Sequence, residues 1–355
     1  MIDTVGGFIE RKIDTSQLTV EKGWKRIKVE GKPFLSCYFF NNDIIRIWYY
    51  PLTKRLNFIT NLPKMLYGTN SRMIFNRHLK KINVKFKNLM IDILGFSLPD
   101  LFNWFPSRID FCWNFKAKVA QDVLEFIHVF GKAQKGRYKT IQFDTTSWHK
   151  NKSAQYKLYS KYHEMIARED HGHITEEDKL KVRYEIQLNR DKIVNLYGKY
   201  SKIGDIINEK EATKVLNDCL KDVNCYGAFL KKDDMFEKIR KAYPGKMGDR
   251  LIEFVCYINE KGINCARKTY TKTKYIRYTE KLKQIEITNL FYLIHAHPIV
   301  FEVKVIKRFI VRRTKEIYSS ELLNMNNIVN SEATVGVILD SGHSMEHLTN
   351  AIIKT

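Results

Sequence analysis

The sequence predicts an α+β protein, with a mostly antiparallel sheet over residues 1–204 and a basic, helix-rich region over 205–355. Three observations predict it. Short runs alternating between apolar and polar side chains fill the first half, the period of a half-buried strand. Several of these runs are separated by tight turn signals, which places neighbouring strands antiparallel. From about residue 205 the apolar period lengthens to that of a helix, and a dense run of Lys and Arg follows.

The elements follow in order. PFLSCYFFNNDIIRIWYYP (33–51) reads as two strands joined by an Asn-Asn-Asp turn at 41–43. KRLNFIT (54–60) is a third. Over 74–98, Ile82, Phe86, Leu89, Met90, Ile93 and Leu94 stand near helical spacing, and Pro99 and Pro106 bracket the link that follows. RIDFCWNF (108–115) is a strand. AKVAQDVLEFIHVFG (117–131) is a helix with Gly131 as its C-cap. Residues 138–148 and 155–162 form a strand pair, and KVRYEIQL (181–188) is one more strand. NEKEATKVLNDCLKDV and DMFEKIRKAY are helices. GDRLIEFVCYINEKG (248–262) is an amphipathic helix stopped by Gly262, and a basic helix follows it. Helix, Gly-containing turn and basic helix are the outline of a helix-turn-helix. Residues 288–340 return to short apolar runs.

Composition narrows the function. A chain of 355 residues suits about two domains of ~150 residues each. Lys and Arg number 61 and Asp and Glu 39, so the net charge is +22, and 44 % hydrophobic residues still supply real cores. A folded body with that charge points to a polyanion, either nucleic acid or an anionic membrane surface. MIDTVGGFIERKID carries acids and no apolar run, so it is not a secretory signal. No stretch approaches ~18 uncharged apolar residues, which lowers the membrane reading. A soluble, cytoplasmic protein without a membrane partner is expected. The cysteines at 37, 112, 219, 225, 256 and 265 form no CxxC pair and read as small buried thiols, not zinc ligands.

The positive charge is gathered in two places. Between Lys261 and Lys283 stand Arg267, Lys268, Lys272, Lys274, Arg277 and Lys281, opposed by Glu280 alone and interleaved with Tyr270, Tyr275 and Tyr278. A solvated helix face usually mixes its charges. This nearly single-signed run favours phosphate contact, with the tyrosines stacking on or bonding to DNA. A second basic stretch runs from Lys132 to Lys161 against Asp144 alone, in strand-rich sequence.

Three strand segments carry the candidate chemistry. Arg108 and Asp110, Arg183 and Glu185, and Tyr159 and Lys161 are each two residues apart, hence on one face of a strand. Two carboxylates can hold a hard divalent cation, which would polarise a phosphodiester for in-line attack by a tyrosine oxygen. The plainer reading is salt-bridged pairs on a solvated face and a half-buried strand tyrosine.

At these residues the chain resembles the gene II/X-type replication initiators of filamentous phages. The resemblance begins at MIDTV and continues in NLPKMLYGTN through Pro63, Lys64, Leu66, Gly68 and Asn70. SRIDFCWNF is similar to the family's Ser-Arg-Ile-Asp strand, borne by Ser107, Arg108, Ile109 and Asp110. Trp148 resembles the tryptophan before the family's tyrosine segment, and Tyr159, Lys161 and Glu164 its Tyr-x-Lys-x-x-Glu. Arg183, Tyr184 and Glu185 resemble its Arg-aromatic-Glu strand, and YTKTKYIRYTEKL (270–282) its C-terminal basic helix. The pieces keep their order over residues 1–285, and the last ~70 residues match none. The distance from Trp148 to Tyr159 departs slightly from the family's, so Tyr156 and Tyr162 remain rival nucleophiles. Tyr159 alone keeps the following Lys and Glu in step.

The resemblance implies a rolling-circle initiator. Such an enzyme nicks one strand at a phage or plasmid origin, holds the 5′ phosphate on a tyrosine, and later rejoins the displaced strand. Residues 1–204 would form the nicking-closing domain and 205–355 the DNA-binding region. Tyr159 would be the nucleophile, Asp110 and Glu185 would hold Mg²⁺ or Mn²⁺, and Lys161, Arg108 and Arg183 would steady phosphate charge. Glu164 would ligate metal or serve structure. Origin DNA, duplex and single-stranded, and a host helicase or polymerase would be the partners. No GxxxxGK[ST] loop is present, as expected if the phosphotyrosine conserves the bond energy. His295 and His297 match the His-x-His of another nickase superfamily but follow the tyrosine instead of preceding it, and read as structural. Rival readings are a non-catalytic helix-turn-helix origin binder or regulator, and a non-specific single-strand binder.

Overall fold

Alternation of side chains across a strand lets one sheet present two chemically different faces, and this molecule is built on that property. The structure, a computed structural model, describes residues 1–29, 32–133, 138–169 and 173–304. The strands are β1 (Ile2–Glu10), β2 (Lys25–Val29), β3 (Lys32–Asn41), β4 (Ile45–Tyr50), β5 (Arg55–Asn61), β6 (Phe105–Lys116), β7 (Lys139–Phe143), β8 (Thr146–Lys150), β9 (Ala154–Ser160), β10 (Lys181–Asn189), β11 (Gly227–Phe229) and β12 (Ile299–Phe301). The helices are α1 (Leu62–Tyr67), α2 (Leu79–Leu94), α3 (Asp122–Lys132), α4 (Lys161–Ala167), α5 (Glu176–Lys179), α6 (Arg190–Tyr197), α7 (Ile203–Ile206), α8 (Glu209–Asp222), α9 (Lys232–Ala242), α10 (Lys246–Lys261), α11 (Ile263–Thr269) and α12 (Lys272–Gln284). The fold is α+β, as expected.

Ten strands form one sheet in the order β2-β3-β4-β5-β1-β6-β10-β9-β8-β7, and every neighbouring pair is antiparallel. The β3–β4 hairpin turns where the Asn-Asn-Asp signal lies. The pairing Tyr184↔Leu158, Ile186↔Tyr156, Ile186↔Phe111 and Leu188↔Ile109 puts these apolar residues on one face. They are fully buried there, against α3 and α8. Phe130 of α3 meets Tyr184 at 5.8 Å between ring centroids. Farther along, Phe58 on β5 packs against Phe86 of α2 and against Trp104. The opposite face carries Asp110, Arg183, Glu185, Lys157 and Tyr159.

Several expectations are corrected. β1 has no counterpart among the predicted strands, yet it lies between β5 and β6 in the sheet. Gly6 and Gly7 and the buried Asp3 interrupt the apolar alternation that marks a strand. The expected pair at 138–148 and 155–162 is three strands, and β9 stops at Ser160. The Ser160 hydroxyl accepts from the His163 N–H and caps α4, so Lys161 opens a helix and does not share a strand with Tyr159. The basic run is two helices, α11 and α12. The residues between α10 and α11 shrink to Gly262, whose φ of +85° is the left-handed region that favours glycine.

Met1–Val303 pack together as one unit, so the β-rich 1–204 and the helices after 205 fall within it. Lys135 and Arg137 of the second basic stretch, and the apolar runs beyond 304, lie outside the described residues. No helix among the described residues is long and apolar enough to cross a membrane.

Candidate active site

The structure places the three rival tyrosines in different surroundings. Tyr156 and Tyr159 are three residues apart on one strand, so they project from opposite faces. Tyr156 is buried on the apolar face, where its hydroxyl meets that of Tyr138 at 2.9 Å. Tyr162 lies on α4, half-buried, with its ring edge-on to His163. Tyr159 alone stands on the polar face, opposite Arg183 on β10.

The Tyr159 hydroxyl donates to Glu185 Oε2 at 2.9 Å, and Lys157 Nζ reaches Glu185 Oε1 at 3.4 Å. On β6, Arg108 grips both oxygens of Asp110 through Nε and Nη2. Asp110 is opposite Gln187 and Glu185 is opposite Cys112, so the two carboxylates are diagonal neighbours on one face. Arg183 donates to Asp3 Oδ1 at 2.8 Å, to the Asn70 carbonyl at 2.7 Å and to Cys112 Sγ at 2.9 Å. Lys161 donates to Asn70 Oδ1 at 2.8 Å and to Glu164 Oε2 at 2.7 Å, and Arg168 caps the other oxygen of Glu164.

The sequence expectation thus meets a divided outcome. Asp110, Glu185, Tyr159 and Arg108 share one face, and Arg108 keeps a partly exposed side chain. Arg183 and Lys161 share that neighbourhood but have no exposed surface, so neither offers a free donor to an outside phosphate. They are struts that fix β1, the segment at Asn70 and α4 around the tyrosine. Glu164 ties Lys161 to Asn70. Asp3 is a member that sequence reasoning missed. Its only sequence signal is a carboxylate in an apolar stretch at the start of the chain.

Burial and charge set the protonation states. Burial, with the Glu185 charge, drives the Tyr159 phenol well above its ordinary value, so it rests protonated at neutral pH. Burial pulls Glu185 upward, but Lys157, Arg183 and the Tyr159 hydrogen bond outweigh it and hold the carboxyl below its usual range. Burial pushes Asp110 up to about 7 against the pull of Arg108. A protonated phenol bonded to an ionised carboxylate can pass its proton to that carboxylate.

The donor set also suits a hard divalent cation. Asp110 and Glu185 supply carboxylate oxygens, and Mg²⁺ is commonly held by one or two carboxylates with water and phosphate oxygens completing its shell. Each carboxylate already has a cationic partner, so a metal ion would have to displace Arg108 from Asp110. No cluster of three or more His, Cys, Asp or Glu suited to a metal occurs among the described residues.

The basic helices have a different character. Arg267, Lys268, Lys272, Lys274 and Arg277 are exposed and Lys281 is half-buried. None of the six makes an ion pair among the described residues. Their tyrosines do not face outward as expected. Tyr270, Tyr275 and Tyr278 pack on Phe254 of α10 at 5.0–5.5 Å between centroids, and Tyr278 is buried. Cations lie over these rings: Arg267 over Tyr275, Lys274 over Tyr270 and Arg277 over Tyr278. The tyrosines hold the helices together and support the charges.

His295 and His297 sit in a loop anchored on α3. The His295 backbone N–H donates to Glu125, and His297 Nδ1 meets Asp122 at 3.0 Å. All six cysteines are free; Cys37, Cys112, Cys219 and Cys225 are buried as expected, but Cys256 is half-buried and Cys265 on the short helix α11 is exposed.

No protein-family model matches the chain, and a search of curated proteins finds no match.

Proposed function

We propose that this protein is a rolling-circle replication initiator of the kind its sequence resembles. It nicks one strand at a phage or plasmid origin, keeps the 5′ phosphate on Tyr159 and later rejoins the displaced strand. The observation that carries the reading is the 2.9 Å hydrogen bond from the Tyr159 hydroxyl to an ionised Glu185 beside Lys157, Asp110 and Arg108. The same bond would stabilise a purely structural tyrosine; what favours chemistry is that the carboxylate beside the phenol is ionised and that Arg108, partly exposed, stands on the same face.

In this reading Tyr159 Oη attacks the scissile phosphorus as its proton passes to Glu185. The P–O3′ bond breaks, and the departing 3′ oxygen gains a proton from solvent. Arg108 turns from Asp110 to the phosphate oxygens, and Lys157 balances the charge on Glu185. Arg183 and Lys161 position the tyrosine from behind. Asp110 and Glu185 would hold Mg²⁺ or Mn²⁺, which polarises the phosphodiester when bound. Residues 246–284 serve as a helix-turn-helix-like grip, with Arg267, Lys268, Lys272, Lys274, Arg277 and Lys281 on duplex phosphates. Closure uses the bond energy kept in the phosphotyrosine. The work takes place in a bacterial cytoplasm with host helicase and polymerase.

The test is incubation with supercoiled plasmid bearing the origin and Mg²⁺. Nicked or relaxed DNA carrying protein on its 5′ end supports the reading. Specific binding with no cleavage would replace it with a non-catalytic origin binder.

A further inference from the structure

Where β1 pairs with β6, Phe8 and Phe105 lie side by side, their rings 5.5 Å apart between centroids and 26° from parallel. Three cations are set on this pair. Arg55 lies 3.7 Å from the Phe8 centroid, Arg190 5.3 Å from the same ring and Lys202 3.1 Å from that of Phe105. None of the three makes a carboxylate ion pair among the described residues. Arg55 Nε donates to Asn57 Oδ1, and Arg190 donates to the carbonyls of Pro106 and Lys199. Glu10 and Asp205 act on Arg55 and Lys202 from beyond ion-pair distance.

An aromatic face holds a cation in place without neutralising it. The cluster is therefore an oriented group of like charges, half-buried and without an ion-paired carboxylate among the described residues. Crowding shows in Arg190, which burial and the neighbouring Arg55 both push below its ordinary value. Two open cavities adjoin the cluster, the first through Arg190 and the second through Phe8 and Phe105. One, of about 430 Å³, is lined by Arg190, Lys152, Gln187, Asn189 and Arg108, with Asp191 the acid at its rim. The other, of about 470 Å³, is lined by Phe8, Phe105 and Arg11, with Glu10 the acid among its lining residues. The first cavity reaches Arg108, the partner of Asp110. Gly6 lies beside it, where a Cβ would come within 2.9 Å of Ser107 Oγ and 3.0 Å of Ile59 Cγ1.

We propose that Arg55, Arg190 and Lys202, held on Phe8 and Phe105, bind the sugar–phosphate backbone of a single DNA strand laid along the sheet toward Tyr159. The direction of the strand rests on the function proposed above; the binding site does not. A single strand can bend to follow Arg190 into the first recess and the Phe8 and Phe105 rings into the second, with Arg55 and Lys202 over those rings, whereas a duplex keeps its phosphates on a stiff cylinder.

The test is the salt dependence of binding, read by fluorescence anisotropy with a thymidine oligonucleotide and with a duplex. Each lost phosphate contact lowers the slope of log K against log salt by about 0.7 on single strands. R55Q/K202Q should flatten the single-strand slope by about 1.4 and leave the duplex slope unchanged. R55K/K202R, which keeps both charges and reports on folding, should retain the original slope. An unchanged single-strand slope in R55Q/K202Q overturns the proposal. An equal loss on duplex or on inorganic polyphosphate also overturns it, because the cluster would then be a general polyanion patch. Binding is read without cleavage, so failure of the nicking reading would leave this result standing.

Discussion

Arg183 is the largest charged group buried at the site, and its partner Asp3 offers a sharp perturbation. The guanidinium has no exposed surface, and its Nε has no hydrogen-bond partner among the described residues. The other contacts are the Asn70 carbonyl and the Cys112 sulfur, so among the described residues Asp3 supplies the one countercharge within ion-pair distance. Asp3→Ala strands that charge. Breaking a buried ion pair from one side typically costs about 3–5 kcal/mol. The Asn61 and Thr4 side chains also lose an acceptor, which places the cost toward the upper end. At about 2 °C per kcal/mol for a chain of this size, Tm falls by about 6–10 °C. Urea unfolding followed by circular dichroism measures the free-energy loss, and a thermal melt the fall in Tm. Asp3→Leu combined with Arg183→Met removes both charges and should recover at least half of the loss. A loss under about 1 kcal/mol for Asp3→Ala, or a double variant as unstable as the single, would refute the strut assignment.

Further outcomes follow from the same geometry. His149 is buried, with Nε2 at 2.8 Å from the Phe130 carbonyl and Nδ1 at 3.0 Å from Thr140, and burial brings its pKa from 6.5 to about 4. The unfolded chain binds that proton first, so stability falls as pH drops from 6.5 toward 4, by about 3 kcal/mol. Comparing urea unfolding at pH 7 and 4.5, His149→Gln should shrink the difference by about 2–3 kcal/mol. Glu185→Gln removes the acceptor of the Tyr159 proton. Nicking should slow by about 10²–10⁴, the usual worth of a general base, while single-strand affinity measured by anisotropy changes little. Changing Lys272, Lys274 and Arg277 to Gln should flatten the duplex salt slope by about 2.7 in anisotropy titrations, at about 0.9 per contact.

Much of this arrangement can be read from residue spacing. β4, β6 and β10 alternate or run apolar between turn signals, and they appear where that pattern predicts. The two-residue spacings Arg108–Asp110 and Arg183–Glu185 do place each pair on one face. The same parity places Tyr156 opposite Tyr159, so the spacing alone could have separated these rivals. β1 escaped because two glycines and a buried aspartate erase the apolar signal, although sheet pairing on both sides holds it. The switch from β9 to α4 was hidden by reading Tyr159 and Lys161 as strand neighbours. Lys161 and Glu164 at i,i+3 are a helical pair, and Ser160 is a helix cap. Tyr275 and Tyr278 have that spacing too, which marks a helix face packed on its neighbour and not a surface for bases. Burial of Arg183 and Lys161 depends on Asp3 and Asn70, far away in sequence, and no local pattern reveals it.

The central claim is that Tyr159 carries DNA covalently. The protein should be reacted with the origin plasmid, digested with nuclease and protease, and the nucleotide-bearing peptide identified by mass spectrometry. The account predicts a phosphotyrosine at Tyr159 that is absent from Tyr159→Phe. An adduct on Tyr162 or Tyr156, or nicked DNA from Tyr159→Phe, would contradict it.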